Sequence, residues 1–171
     1  MKLSGYQTVE IDRASARELR AAVEDFNTEY CAVLDSGMVE QWPAFFTEDA
    51  IYRVTARENA DAGLPVGLVY AEGRAMLHDR AAAIARTQMY APRSTLHLCG
   101  NVRILSQDPD GTFIAHTNFV LLQTLVEGPT TVHLAGRYYD RFDRQGSELK
   151  LRERQVVYDT TMIATDVVYP V

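Results

Sequence analysis

Cysteine and long apolar runs are scarce in this sequence of 171 residues, and each scarcity excludes a class of protein. The two cysteines, Cys31 and Cys99, stand in no paired motif, so we expect a reducing, cytoplasmic environment and no disulfide framework. No apolar run approaches the ~20 residues that a membrane-spanning helix needs. The first residues also lack the apolar stretch of a signal peptide, so we expect neither export nor membrane contact.

An excess of basic charge is also missing, since the formal net charge is −6. Nucleic-acid binding depends on clustered Lys and Arg that neutralise phosphates, so nucleic acid is not expected as a partner. The sequence shows no internal repeat, low-complexity tract or Gly/Ser-rich linker. Because a chain of this length with 47% hydrophobic residues can bury a core, we predict a single domain over residues 1–171.

The chain begins with a predicted helical region. Ser15 and Glu18 match a capping box, in which a hydroxyl and a carboxylate bind free amides at a helix start. Residues 1–14 are then expected to form an extended N-terminal arm. Apolar residues recur at helical spacing until Gly37, which can adopt the left-handed conformation that ends a helix. This apolar stripe consists of Leu19, Val23, Phe26, Tyr30, Val33 and Leu34.

A mixed region follows. A short second helix is predicted to carry Val39, Trp42, Phe45 and Phe46, and Pro43 is tolerable there only near the first turn. Residues 47–49 are predicted to turn the chain, residues 50–56 to form a strand, and residues 58–73 to form an extended loop. Residues 74–90 are predicted to form a third helix, with a buried side made of Met76, Leu77, Ala81, Ile84 and Ala85.

Turn signals divide the second half into long strands. Residues 108–111, 127–130 and 144–147 each contain the Gly, Pro, Asp or Ser residues that favour tight turns. The stretches between them exceed the roughly 3–10 residues of an ordinary strand, and long antiparallel strands twist and coil. We therefore predict an α+β fold, with a strongly curved, mostly antiparallel sheet wrapped around the N-terminal helices as a half-open, cystatin-like cone.

The four histidines are candidate metal ligands, and His78 lies apart from the other three. Neither cysteine is followed by a histidine at the spacing of a Rieske cluster. His97, His116 and His133 lie on three successive predicted strands, so they could converge with a carboxylate on a mononuclear iron. No local motif supports this site, and hydrogen-bonded histidines within the sheet are the alternative interpretation.

General acid–base chemistry is a second possibility. Cone-shaped folds serve as isomerases, dehydratases and cyclases, with an Asp, His or Tyr at the bottom of the cavity. The candidates here are Tyr30, Asp35, Tyr52, His97 and His116. Each also has a structural interpretation, such as a tyrosine in a helix stripe, a capping aspartate or a core histidine. A stand-alone isomerase or dehydratase, or a small-molecule binding protein, is therefore kept as an alternative function.

Several sequence blocks occur in a recognisable order. They are the segment from Trp42 to Tyr52, the triplet Arg57-Glu58-Asn59, residues 93–97 and 100–103, the triplet Ala135-Gly136-Arg137 with Asp140-Arg141, and residues 151–157. Together they cover most of the chain, and their order and spacing resemble the small (beta) subunit of aromatic-ring-hydroxylating dioxygenases. The resemblance implies the cone-shaped fold that nuclear transport factor 2 and ketosteroid isomerase share.

The resemblance also implies a companion role. In this family the large (alpha) subunit carries the Rieske [2Fe–2S] cluster and the mononuclear iron, and three large and three small subunits assemble. We expect no cofactor, metal or catalytic residue in this chain. We also expect it to associate with itself as a trimer and to interact with a reductase or ferredoxin only indirectly. The stretches at residues 63–70 and 74–80 are similar to small subunits of systems that act on aromatic carboxylic acids such as salicylate, benzoate or terephthalate.

Basic residues crowd one predicted hairpin, which contains Arg137, Arg141, Arg144, Lys150, Arg152 and Arg154. Acidic residues alternate with them, so the hairpin is either solvated and paired with itself or an interface whose arginines bind carboxylates of another chain. On the second interpretation, we expect subunit contacts at Arg57, Glu58, Asn59, Arg137, Arg141, Arg152 and Arg154.

Overall fold

The computed structural model describes residues 3–87, 91–146, 148–163 and 165–171. The helices are α1 (Arg13–Asp35), α2 (Arg57–Ala62) and α3 (Arg74–Arg86), and short 3-10 helices occupy Leu3–Gly5 and Val39–Phe45. The strands are β1 (Phe46–Ala56), β2 (Val69–Glu72), β3 (Arg93–Gln107), β4 (Phe113–Leu125), β5 (Thr130–Gln145) and β6 (Glu148–Tyr158).

The strands form one open sheet in the order β2-β1-β6-β5-β4-β3. Neighbouring strands are antiparallel except β1 and β6, which run parallel. One face, called the inner face below, packs against α1 and the other helical elements over a continuous apolar core. This arrangement confirms the predicted α+β fold. Within the described ranges, no helix is both long enough and apolar enough to cross a membrane.

Helix α1 begins earlier than the capping box indicated. The side chain of Asp12 is the N-cap and accepts hydrogen bonds from the amides of Ala14 and Ser15 at 2.9 and 3.0 Å. Ser15 is therefore inside the helix and does not cap it, because Asp12 already satisfies the free amides. The predicted end is confirmed: Ser36 follows the last helical residue, and Gly37 has a φ of 73°.

The aromatic segment after α1 is a 3-10 helix that contains Pro43. Trp42 and Phe46 are fully buried against the core, as their pattern predicted. The predicted turn at residues 47–49 is wrong, since these residues lie within β1. The pairing of β1 with β6 shifts register between Phe46 and Ile51, so an irregularity of the strand takes the place of the expected turn.

The predicted loop at residues 58–73 contains two regular elements, α2 and β2. Strand β2 pairs with β1, a contact that the local Gly and Pro content concealed. Helix α3 ends at Arg86, and residues 88–90 of the predicted helix lie outside the described residues. Its buried side comprises Leu77, Ala81 and Ile84, whereas Met76 and Ala85 are exposed. The hairpin turns join β3, β4, β5 and β6 where they were predicted.

The residues before α1 cross the outer face of the sheet. Tyr6 is buried against Leu105 and Ile114, and its ring meets Tyr139 edge to face. The amide of Val9 donates to the carbonyl of Leu105 at 2.7 Å. This segment therefore covers part of the face that lies opposite α1.

Candidate functional site

The centre of the inner face holds a buried ion pair. Arg154 on β6 and Asp140 on β5 are cross-strand partners, and both are completely buried. Arg154 donates from Nε and Nη2 to the two carboxylate oxygens of Asp140 at 2.9 and 2.8 Å, and Nη2 also donates to Asn27. Its guanidinium lies 4.2 Å from the ring centroids of Tyr30 and Tyr138. The expectation that Arg154 contacts another subunit is therefore wrong.

The carboxylate of Asp140 keeps the buried guanidinium of Arg154 charged. Burial opposes ionisation of Arg154, but the carboxylate of Asp140 outweighs this effect, so the pKa of Arg154 lies well above its ordinary value. Both hydrogen-bonding oxygens of Asp140 are engaged by the same guanidinium. The pair fills the interior as a structural group and presents no free carboxylate that could act as a general base.

The two candidate tyrosines bind the chain's own residue 171. The hydroxyl of Tyr30 accepts from Trp42 Nε1 at 2.8 Å and donates to the main-chain oxygen of Val171 at 3.2 Å. The hydroxyl of Tyr52 accepts from the amide of Val171 at 2.9 Å. Val171 itself is fully buried. Burial raises the pKa of Tyr52 to about 12, so its hydroxyl stays protonated at neutral pH.

Asp35 and His97 are brought together at the seam between α1 and β3. The carboxylate of Asp35 binds His97 Nδ1 at 2.6 Å through Oδ1 and the His97 amide at 2.9 Å through Oδ2. The pair borders a groove of about 440 Å³ that also contains Cys31 and Cys99. Nε2 of His97 is buried and has no hydrogen-bond partner among the described residues. Of the predicted acid–base residues, these are the two that the fold joins as a dyad.

The remaining histidines are dispersed. His116 packs on the outer face against Tyr139, and burial lowers its pKa with help from the nearby charge of Arg103. His133 is buried, and burial followed by the charge of Arg93 lowers its pKa. His78 is exposed on α3. In the described part of the chain, no three His, Cys, Asp or Glu side chains are grouped to hold a metal, so the alternative in which His97, His116 and His133 converge on an iron finds no support.

Arg57 and Arg137, two of the predicted contact residues, meet at Asp159. Arg57 binds one oxygen of Asp159 at 2.8 Å, and Arg137 approaches the other at 3.9 Å. Arg57 also donates to the Tyr139 hydroxyl at 3.3 Å. Both arginines remain partly exposed, and Arg137, which is the more exposed and only loosely paired, has donors available to a neighbouring chain.

The other predicted contact residues are also near the surface. Arg141 lies 3.9 Å from Glu153, and Arg152 lies 3.7 Å from Asp49. Both pairs are long. Glu153 is buried, whereas the pair of Arg152 with Asp49 is exposed and contributes little to stability. Glu58 and Asn59, the remaining two predicted contact residues, lie on α2.

An apolar strip occupies the outer face of β3, β4 and β5. Leu96 pairs with Leu122, which pairs with Val132, while Leu98 pairs with Val120 in the next row. Three of these five side chains are about half exposed: Leu96 50%, Leu98 52% and Val132 57%. We call these five residues the outer-face strip. Contiguous exposed apolar side chains of this kind mark interaction surfaces more often than scattered ones.

Sequence reasoning missed several of these contacts. Asn27, which binds Arg154, lies on the predicted apolar stripe as an isolated polar residue, and this was the available signal. Cys31 and Cys99 are 68 positions apart, yet their sulfur atoms are 3.6 Å apart. No local sequence pattern predicts this contact between the two cysteines, because it depends on how α1 lies across the sheet.

The chain is similar to known proteins over most of its length. The sequence profile of a family described as "Ring hydroxylating beta subunit" matches residues 31–165. The chain is 35% identical over 142 residues to the anthranilate 1,2-dioxygenase small subunit of Burkholderia cepacia, covering 83% of this chain and 88% of that protein. It is 37% identical over 145 residues to subunit beta 2 of the terminal oxygenase component of terephthalate 1,2-dioxygenase from Comamonas sp, covering 85% and 94%.

The fold is similar to a solved structure as well. A crystal structure described as the beta subunit of an aromatic-ring-hydroxylating dioxygenase from Novosphingobium aromaticivorans superposes with a TM-score of 0.82. It shares 37% sequence identity, and the similarity covers 91% of this chain and 98% of the other.

Proposed function

Because this chain belongs to the family of ring-hydroxylating dioxygenase beta subunits, we propose that it acts as the non-catalytic, structural subunit of its oxygenase. In this role it supports the assembly of a large subunit that carries out the oxidation. The observation that carries the proposal is the occupied interior, where a catalytic member of the cone fold would place its acid or base.

The occupants of the interior are groups of the chain itself. The ion pair of Arg154 with Asp140 takes up its centre, and Tyr30 and Tyr52 use their hydroxyls to bind Val171. A substrate could reach these groups only by displacing residue 171 and separating a buried ion pair, which would leave charges without partners. The interior therefore serves stability.

The redox centres of the assembly belong, on this proposal, to the large subunit. A Rieske cluster takes two Cys and two His, and a mononuclear iron takes two His and a carboxylate. The described part of this chain provides no such group of three or more ligands, and its two cysteines contact each other. We therefore expect a reductase or ferredoxin to deliver electrons to the large subunit without binding this chain directly.

We further propose three large and three small subunits, with the small subunits in mutual contact. The partly exposed arginines at Asp159 and the outer-face strip lie on the same face of the sheet and support an assembly surface there. Arginine is enriched at interfaces, and its planar group can bind two carboxylate oxygens at once. The expected compartment is the cytoplasm.

The proposed substrate class is an aromatic carboxylic acid such as benzoate, salicylate or terephthalate. Support comes from the relatives, which are named for anthranilate and terephthalate, two aromatic carboxylates. The large subunit would make the contacts that select the substrate.

Separate and joint production of the two subunits tests the proposal. The chain alone, the large subunit alone and the two together are purified, and bound iron is measured in each. Each sample then receives the reductase, any ferredoxin, NADH and either one aromatic acid or naphthalene as a neutral control. We expect iron and hydroxylated product in the joint sample, with the acids preferred to naphthalene.

The same samples contain the result that would overturn the proposal. We expect neither tightly bound iron nor product from the chain alone. Turnover by the chain alone, or a large subunit that keeps full activity and full oligomer size without it, would contradict the structural role. Native mass spectrometry of the joint sample checks the stoichiometry of three and three.

A further inference from the structure

Two thiols face each other across the seam of α1 and β3. The Sγ atoms of Cys31 and Cys99 are 3.6 Å apart, which is within hydrogen-bonding distance for two reduced thiols. Both residues border the groove of about 440 Å³ between the helix and the strand. Cys99 is only partly buried, so a small oxidant has access to it from the groove.

The contact between Asp35 and His97, next to the two thiols, fixes the position of α1 on β3. Asp35 follows Cys31 by one turn of α1, and His97 precedes Cys99 by two positions on β3, so each pair projects from the same side of its element. The bonds from His97 to Asp35, at 2.6 and 2.9 Å, join the helix to the strand next to the thiols. The approach of Cys31 to Cys99 therefore belongs to a fixed packing arrangement.

The two thiols differ in reactivity. A hydrogen bond from Cys31 lowers the pKa of Cys99 against the effect of burial, and the charge of Arg154 lowers it further. The same hydrogen bond and burial raise the pKa of Cys31. Since a thiolate is the nucleophile, Cys99 is the sulfur that reacts first, and Cys31 is a protonated thiol in contact with it.

We propose that Cys31 and Cys99 are a reversible oxidation site that closes to an intramolecular disulfide between α1 and β3. The oxidant is a peroxide. The Cys99 thiolate attacks one peroxide oxygen, the O–O bond breaks, and with one proton the products are a sulfenic acid and water. Cys31 then attacks the Cys99 sulfur, the S–O bond breaks, and a second water leaves with the Cys31 proton. Two thiols and one hydrogen peroxide thus give one disulfide and two waters.

Closing the bond requires a small movement. The sulfurs must approach by roughly 1.5 Å to reach the length of a disulfide bond. Side-chain rotation supplies part of this distance, and the groove leaves room for the rest. The bond would join residues 68 positions apart, so it constrains the unfolded chain strongly.

The full-length protein is treated with hydrogen peroxide and analysed by intact mass, by alkylation of free thiols after denaturation and by non-reducing peptide mapping. We expect a loss of two hydrogen atoms, the disappearance of both free thiols and a peptide that joins Cys31 to Cys99. Dithiothreitol should restore the starting mass. The oxidised protein should melt roughly 5–10 °C higher than the reduced protein.

Cys31→Ser and Cys99→Ser are matched controls that each keep one thiol. Neither variant should show the loss of two hydrogens or the higher melting temperature, and Cys31→Ser should add oxygen at Cys99 faster than Cys99→Ser adds it at Cys31. Addition of oxygen to both cysteines of the unmodified sequence without the joined peptide would overturn the proposal. Resistance of both thiols to peroxide, or disulfides only between molecules, would overturn it as well. Peptide mapping of the unmodified sequence decides the outcome even if a variant does not fold.

Discussion

Arg154 and Asp140 show how a charged side chain can belong entirely to the core. The guanidinium is enclosed by Asp140, Asn27 and two tyrosine rings, and none of its surface is exposed. Its Nη1 atom has no hydrogen-bond partner among the described residues, so the pair depends on the two bonds to the carboxylate. A buried pair of this kind is vulnerable to loss of one partner.

Replacement of Asp140 by Leu should therefore destabilise the subunit by about 3–5 kcal/mol, because Arg154 keeps its charge without a partner. The double variant Asp140→Leu/Arg154→Met should recover much of this loss, since neither charge remains. Urea unfolding of the two single variants and the double variant measures the coupling. A loss in the double variant equal to the sum of the losses in the two single variants, Asp140→Leu and Arg154→Met, would contradict a direct pair.

Tyr52 illustrates a hydroxyl with a structural role and a pH-dependent consequence. Burial raises its pKa from 10.0 to about 12, so the folded protein holds this proton where the unfolded chain has lost it. Below pH 10 both states are protonated, and the stabilisation is complete. It is lost as the pH rises from the unfolded to the folded pKa.

Tyr52→Phe should lower stability by about 1–2 kcal/mol near neutral pH, because the amide of Val171 loses its partner. The difference between the original protein and this variant should shrink as the pH rises from 10.0 to about 12. Urea unfolding across this range measures both effects. Product formation by the complex should not change. A loss of turnover without loss of stability would assign Tyr52 a catalytic role instead.

At the scale of elements, the start of α1 depends on one side chain. Asp12 binds two helix amides, while the hydroxyl of Ser15 only approaches Asp12 at 3.4 Å. The capping-box pattern at Ser15 and Glu18 misplaced this start by three residues because Asp12 provides an equally good cap.

Asp12→Ala should lower the melting temperature by roughly 2–4 °C, whereas Ser15→Ala should leave it nearly unchanged. Circular dichroism during heating measures both values under the same conditions. If the Ser15 variant proved the less stable of the two, the capping box would be restored as the true start.

Gly136 permits close packing between β5 and β6. A Cβ atom at this position would lie 2.1 Å from the carbonyl oxygen of Val157 and 2.7 Å from the Cα atom of Tyr158. Backbone atoms of a central strand cannot move away as a flexible side chain can. Gly100 lies in the edge strand β3 and has no such neighbour within 4 Å.

Gly136→Ala should therefore destabilise the subunit by at least about 2 kcal/mol through overpacking. Gly100→Ala is the matched control and should be neutral or slightly stabilising, because alanine reduces the entropy of the unfolded chain. Chemical unfolding compares the two. A neutral Gly136→Ala would show that the strands can separate locally without cost.

For the whole molecule, the outer face is where assembly is expected. We predict that Arg137→Glu and Leu98→Glu each weaken association with other subunits by roughly tenfold or more, which corresponds to about 1.4 kcal/mol. The isolated chain should stay folded, since both side chains are about half exposed. Native mass spectrometry and sedimentation of the complex measure the association.

Two substitutions in the helical layer serve as controls for the outer face. Arg20→Glu on α1 and Met76→Glu on α3 make the same chemical changes at exposed positions of other elements. They should leave association within about twofold of the original. If the controls and the outer-face variants had equal effects, the outer face would not be the assembly surface.

The order and type of most elements follow from local patterns along the chain. The apolar stripe of α1, the hairpin turns and the long alternating strands are local patterns, and local patterns need no knowledge of distant residues. The block order that resembles the beta-subunit family is also a property of the linear chain, and the family comparison confirms it. Two short elements in a Gly- and Pro-containing region were not predicted, namely α2 and β2, and β2 depends on its pairing with β1.

Which side chains meet depends on the three-dimensional packing of the elements. The charged residues next to Arg154 in the sequence predict a surface position, yet its strand turns it towards Asp140 and α1. Asp35 with His97, Cys31 with Cys99, and Tyr52 with Val171 join positions between 62 and 119 residues apart. Charge in a sequence indicates solvation only on average, whereas the sheet register and the position of α1 fix the actual partner.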